Sequence, residues 1–164
     1  MTNEHVIKKN IIESNKLIDV KYNYEKNWIR IKLNEKERII KYDKEIDVTI
    51  VEIIPEDKIK NKYFVLPNLS DMNYINKDIY IVQFPGGNDL SYSEGKIKNI
   101  DNYELSYDAS TKSGSSGSPI LLKDTTEVIG IHKEGSEYEK QNYGTLIYSF
   151  IQLLYKEENG GIKL

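Results

Sequence analysis

Apolar and charged residues alternate with a period of two along most of the chain, the pattern that half-buried antiparallel strands require. Residues 17–22, 28–33, 37–42 and 48–54 read as strands in this way, with turns over 23–27 and 34–36. After Pro55 a polar stretch runs through Lys62, followed by a short strand over 63–66, Pro67 and a second polar stretch to Lys77. A further run of strands covers 78–84, 95–100, 103–107, 120–122, 128–132 and 144–147, the first of them ended by Pro85-Gly86-Gly87. Many short strands at regular spacing predict a barrel or a sandwich. The one good helical pattern lies near the end, where Tyr148, Ile151, Leu154 and Tyr155 fall on one face after Ser149.

Composition narrows the function classes. A chain of 164 residues is long enough to bury a core as one domain without disulfide or metal staples. With 23 Lys and Arg against 26 Asp and Glu it lacks the basic footprint of a nucleic-acid binder, so nucleic acid is not an expected partner. The absence of cysteine excludes a disulfide framework, a thiolate nucleophile and Cys-ligated zinc, and two histidines cannot build a His-rich metal site. Neither a metal nor a cofactor is implied. No apolar run approaches the roughly 20 residues of a membrane span, and residues 1–5 are not the charged-then-apolar start of a secretory signal. The expectation is a soluble chain without a membrane partner, cytoplasmic by default and secreted if an N-terminal segment is missing. A monomer is the default oligomeric state.

The segment that carries chemistry is Gly114-Ser115-Ser116-Gly117-Ser118-Pro119-Ile120. A hydroxyl becomes a useful nucleophile when a tight turn holds it beside backbone N–H groups that can receive an oxyanion, and glycines permit that close approach. Serine and glycine also fill flexible linkers. The five specified positions of Gly-x-Ser-Gly-Ser-Pro would match by chance in about one chain of this length in a few thousand. The stretch also lies between two apolar strand segments, 105–107 and 120–122, rather than at a boundary.

Acyl transfer by serine needs a base and a group that orients the base. Only His5 and His132 are available. His132 ends the apolar run Val128-Ile129-Gly130-Ile131 and reads, by itself, as a core-edge or pocket histidine. His5 by itself reads as a solvated terminal residue. Asp47 opens the buried run Val48-Thr49-Ile50-Val51, where an acid is usually a strand-edge charge.

Taken together these segments resemble one family. Thr2-Asn3-Glu4-His5-Val6-Ile7 resembles the Thr-Asn-x-His-Val segment around the catalytic histidine of bacterial trypsin-like peptidases. Asp47-Val48-Thr49-Ile50-Val51 resembles the segment around their catalytic aspartate, and residues 114–119 their Gly-x-Ser-Gly-Gly/Ser-Pro. The order His, Asp, Ser is that of the chymotrypsin fold rather than of subtilisins or α/β-hydrolases. Within the family the resemblance is greatest to glutamyl endopeptidases, through Tyr107-Asp108-Ala109-Ser110-Thr111 and Val128-Ile129-Gly130-Ile131-His132. Residues 133–135, Lys133-Glu134-Gly135, depart from the aromatic residue and glycines common there.

The resemblance implies an all-β, chymotrypsin-like double β-barrel with a C-terminal helix: a first barrel over 1–66, a connection over 67–77, a second barrel over 78–148 and the helix over 149–157. The family places two or three strands before its catalytic histidine. Only four residues precede His5, so the first barrel is expected to lack its first strands and to protect its backbone less than the second. The implied activity is a serine endopeptidase with His5 as base, Asp47 as orienting acid and Ser116 as nucleophile. Backbone N–H groups of Gly114 and Ser116 would form the oxyanion hole. Thr111 and His132 would line a primary pocket for acidic residues, and a polypeptide substrate would lie extended along Lys133, Glu134 and Gly135. The alternative is a truncated, inactive peptidase homologue that acts as a peptide-binding module.

Overall fold

The computed structural model describes residues 1–21, 27–59, 65–68, 73–136, 138 and 140–155. The chain divides into two compact units, Met1–Tyr63 and Phe64–Leu164. In the first, helix α1 (Lys9–Glu13) is followed by strands β1 (Leu17–Val20), β2 (Ile29–Lys32), β3 (Ile40–Asp43) and β4 (Val48–Val51). β1 pairs with β2 and β3 with β4, both antiparallel, with Ile18 opposite Ile31 and Ile40 opposite Val51. Ile12, Leu33 and Ile40 form the buried centre, and Ile7, Ile11, Ile18, Tyr42 and Val51 pack against it.

Two strand predictions in this unit end differently for local reasons. The strand expected over 37–42 begins only at Ile40. Asn34 sets a tight turn before it: its carbonyl accepts the N–H groups of Glu37 (3.0 Å) and Arg38 (3.1 Å), and its side-chain oxygen accepts that of Lys36 (3.1 Å). The strand expected over 48–54 stops at Val51. The Asp57 carboxylate takes the Ile54 N–H at 2.9 Å, and Pro55 opens a short 3-10 turn, Pro55–Asp57. Helix α1 is too short to leave a periodic signal and was not expected. Most of the turn expected over 23–27, and part of the short strand over 63–66, fall outside the described residues.

The second unit is built from β5 (Asp78–Gln83), β6 (Ser91–Asp101), β7 (Glu104–Tyr107), β8 (Pro119–Leu122), β9 (Val128–Ser136), β10 (Gln141–Leu146) and helix α2 (Ile147–Tyr155). The strands close into an antiparallel barrel in the order β10-β7-β6-β5-β8-β9. Inward residues at alternate positions fill it: Ile79, Ile81, Ile97, Leu105, Tyr107, Ile120, Ile129 and Leu146 are all buried, with Tyr74 and Ala109. β6 starts four residues before the predicted strand, because the polar run Ser91–Glu94 is held by its ladder to β5, where alternation carries no signal. β9 and β10 likewise extend past their predicted ends as a hairpin that sets Gly135 opposite Asn142. A bulge at Tyr143/Gly144 shifts that register. No described helix is long and apolar enough to cross a membrane.

Candidate active site

In the first unit, hydrogen bonds tie the amino-terminal segment to β4. Thr2 and Thr49 exchange backbone bonds of 3.0 and 2.8 Å, and the Thr49 hydroxyl donates to the Ile7 carbonyl at 2.9 Å. Asn3 is fully buried between them, donating its amide to the Asp47 carbonyl at 3.1 Å. Its own carbonyl accepts the N–H groups of Val6 and Ile7, both at 3.2 Å, which closes the turn that carries His5. Asp47 sits just before β4 in the left-handed region (φ 53°), a conformation that aspartate tolerates better than most residues.

This backbone arrangement brings the Asp47 carboxylate to His5 twice. One oxygen accepts the His5 backbone N–H at 2.9 Å and the other meets the ring Nδ1 at 2.7 Å. The Asp47 side chain is 12% exposed and the His5 ring 46% exposed. A carboxylate on Nδ1 makes that nitrogen the proton donor and leaves the neutral ring with a basic lone pair on Nε2. The chemistry open to the pair is therefore that of an oriented general base.

In the second unit, the loop between β7 and β8 is fixed by its own backbone. Ser115 donates its N–H to the Lys112 carbonyl (3.0 Å) and accepts the Ser118 N–H (3.0 Å), while Gly117 donates to the His132 carbonyl (2.9 Å) and His132 back to that of Ser118 (2.8 Å). The Ser113 carbonyl accepts the Gly86 N–H from the Pro85–Gly87 turn at 2.6 Å. Ser115 is fully buried inside the turn. Ser116 is half-buried, its hydroxyl donating to the Lys133 carbonyl at 3.4 Å. Gly114 is required twice over: φ is 91°, and a Cβ there would stand 2.9 Å from the Gly87 nitrogen.

Beside this loop, β7, β9 and β10 assemble a polar cluster. Buried His132 shares a hydrogen bond between its Nδ1 and the Tyr107 hydroxyl, 2.6 Å apart, with the rings edge to face. Burial pushes the Tyr107 phenol above its ordinary pKa, so the hydroxyl keeps its proton. The Thr111 hydroxyl donates to Asn142 Oδ1 at 2.6 Å, and Asn142 Nδ2 donates to the Ala109 carbonyl at 2.7 Å. Asn142 also lies over Gly135, where a Cβ would come within 2.4 Å of its Oδ1.

The expected site residues thus fall into two sets. His5 and Asp47 meet in the first unit, whereas Thr111, Gly114, Ser116, His132, Lys133 and Gly135 surround the β7–β8 loop and the β9–β10 hairpin of the second. The Lys133 ammonium pairs with Glu104 at 3.0 Å and Glu134 at 3.5 Å, so acidic neighbours balance its charge. Sequence reasoning gave no site role to Asn3, Tyr107 or Asn142. Tyr107 passes as an apolar strand residue, and Asn142 precedes the predicted strand 144–147. Among the described residues no group of three His, Cys, Asp or Glu side chains could hold a metal ion.

In the second unit a closed antiparallel barrel carries Ser116 on a glycine-bounded loop between β7 and β8. The trypsin-like peptidase domain family matches residues 1–131, and the chain belongs to that family of serine peptidases. It is similar to the glutamyl endopeptidase of Staphylococcus aureus (strain MW2), 34% identical over 106 residues that cover 60% of this chain and 32% of that protein. The strain COL enzyme gives the same identity and covers 31% of its own length. The match therefore spans about a third of the length of these curated relatives. Among solved structures, the serine endoprotease of Yersinia pestis superposes with a TM-score of 0.71 at 19% identity, covering 94% of this chain and 52% of that one. A protease of M. tuberculosis in its active form gives 0.67 at 15%, covering 93% and 66%. These likenesses establish an all-β trypsin-like fold with a C-terminal helix.

Proposed function

We propose that the chain is a serine endopeptidase working through His5, Asp47 and Ser116. The observation that carries the reading is the pair of hydrogen bonds between the Asp47 carboxylate and His5, one at the ring Nδ1 and one at the backbone N–H. A surface histidine with no role has no reason to be held at both points by one nearly buried acid. Ser116 Oγ attacks the scissile carbonyl while its proton passes to His5 Nε2. The imidazolium, stabilised by Asp47, then gives that proton to the leaving amine, and water repeats the sequence on the acyl-enzyme. Backbone N–H groups of Gly114 and Ser116 receive the oxyanion, each contributing about 2.7–4 kcal/mol to the transition state. The substrate lies extended along Lys133, Glu134 and Gly135 and gains main-chain hydrogen bonds there.

The pocket reading follows from the same loop. Thr111 and His132 receive the side chain before the scissile bond, and the likeness to glutamyl endopeptidases supports one of glutamate length over a basic or bulky apolar one, Glu before Asp. Steady-state hydrolysis of a peptide library tests both parts. Ser116→Ala and His5→Ala are expected to lose about 10⁶ in kcat and Asp47→Asn about 10⁴. Turnover that survives Ser116→Ala overturns the mechanism. Binding of peptides without turnover would identify a peptide-binding module instead.

A further inference from the structure

We propose that Asn3 is a positioning residue for the His5–Asp47 pair: its buried side chain holds the Asp47 backbone so that the carboxylate stays on the His5 ring and keeps the ring proton on Nδ1. The inference rests on the reading of His5 as the general base and assigns the residue that keeps it in its working tautomer.

Asn3 is fully buried, and its contacts converge on the pair. Its side-chain Nδ2 donates to the Asp47 carbonyl at 3.1 Å. A carbonyl can only accept, so the amide orientation follows, with Nδ2 toward Asp47 and Oδ1 turned away. The Asn3 backbone carbonyl accepts the N–H groups of Val6 and Ile7, both at 3.2 Å, and so fixes the turn that presents the His5 N–H. Thr2 in turn is anchored to Thr49 of β4 by their exchanged backbone bonds. One asparagine therefore links the backbone of the acid, through its side chain, to the turn of the base, through its main chain.

The Asp47 carboxylate reaches His5 at 2.9 Å from the backbone N–H and 2.7 Å from Nδ1, and both contacts have to hold at once. Asp47 keeps φ at 53°, and a residue in that sparsely populated region stays there when its surroundings over-determine it. The Asn3 bond to the carbonyl of the same residue is such a restraint. Without it the Asp47 peptide regains freedom to turn, and a carboxylate that leaves Nδ1 no longer selects the tautomer. Packing does not account for the residue. Asn3 Oδ1 is buried with no hydrogen-bond partner among the described residues, so the amide is only half satisfied. An apolar side chain would fill the place without desolvating that oxygen. The half of the amide that is used is the half that faces Asp47.

The test uses the full chain with Asn3→Ala and Asn3→Leu. One side chain is smaller than asparagine and the other larger, so an effect common to both reports the lost donor rather than a cavity or crowding. Two-bond ¹H–¹⁵N correlation spectra, recorded where the imidazoles are neutral and assigned against His5→Ala, read the His5 tautomer. The Nδ1–H form is expected to dominate in the wild type, and the ratio of tautomers to shift at least about tenfold toward Nε2–H in both variants. On a peptide that the wild type hydrolyses, kcat is expected to fall about 10–10²-fold, with KM changed less than about threefold. The unfolding equilibrium should move by less than about a hundredfold, because the buried bond that is lost is offset by removal of a half-satisfied amide. A residue that only packs would lower stability and leave the tautomer ratio and kcat where they were. A ratio unmoved in both variants, or loss of the fold in both, overturns the inference. A shifted ratio in a chain that hydrolyses nothing even as wild type keeps the inference and refutes the peptidase reading. Turnover that proceeds with undiminished kcat in both variants overturns the inference and leaves the peptidase reading standing.

Discussion

Replacing Arg38 by Leu should unfold the unit that carries His5 and Asp47 well before the barrel is affected. Arg38 is buried, with its side chain 3% exposed, and it donates three hydrogen bonds: two at 2.8 Å to the two oxygens of Asp57 and one at 2.8 Å to the Glu52 carbonyl. The Asp57 side chain, 4% exposed, would be left with the Ile54 N–H as its remaining named partner. Breaking a buried pair on one side strands the other charge at about 3–5 kcal/mol, a factor of roughly 10²–10³ or more in the local opening equilibrium. Replacing both partners with leucine should restore most of the loss, because buried pairs are commonly near neutral against apolar residues of similar volume. The pair also fixes the acid limb. The Arg38 hydrogen bonds hold the Asp57 carboxyl below its ordinary value, so its contribution is complete above the unfolded pKa of about 3.9 and is lost as pH falls through the lower folded value. Native-state hydrogen exchange at the amides of β3 and β4, with and without Arg38→Leu, reads the effect directly. A loss below about 1 kcal/mol, or a double variant as weak as the single one, would refute the reasoning.

Other expectations follow from the same geometry. Gly114→Ala forces a side chain into φ 91° and against the Gly87 nitrogen, and hydrolysis should fall by about 10²–10³ through displacement of the Gly114 N–H, measured as kcat on the preferred peptide. An unchanged kcat would remove Gly114 from the oxyanion hole. Amides of the closed barrel, 78–146, should exchange more slowly than those of the two-stranded pairs over 17–51, because closure leaves no strand edge open to fluctuation. Uniform protection across both units would contradict this.

How much of this was legible in the chain depends on how each feature is encoded. The barrel strands were readable where one face is buried, as at Ile79 and Ile81 or Ile129 and Ile131, because burial imposes a period of two. The polar start of β6 and the β9–β10 extension were not, since ladder bonds between backbones leave no mark on side-chain polarity. Arg38 and Asp57 are 19 residues apart, and nothing in either neighbourhood announces a buried partner. At the site, residue types and order suggested His5, Asp47 and Ser116, and the structure adds the grip of Asp47 on His5 through a backbone N–H that no motif encodes. Asn3 was visible within a resembling segment, yet its role beneath Asp47 became clear only from its burial. The hydrogen bonds at His132 and Thr111 are made with Tyr107 and Asn142, whose contacts arise from strand register rather than from spacing along the chain.

The central claim is that Ser116 is a nucleophile activated by His5. A fluorophosphonate ester, which phosphonylates activated serines at Oγ with loss of fluoride, followed by mass spectrometry of the digested chain, tests it most directly. A single adduct on Ser116, forming at least about 10³ times more slowly in His5→Ala, is the predicted result. Absence of an adduct, an adduct on another hydroxyl, or a Ser116 adduct whose rate is indifferent to His5 would contradict it.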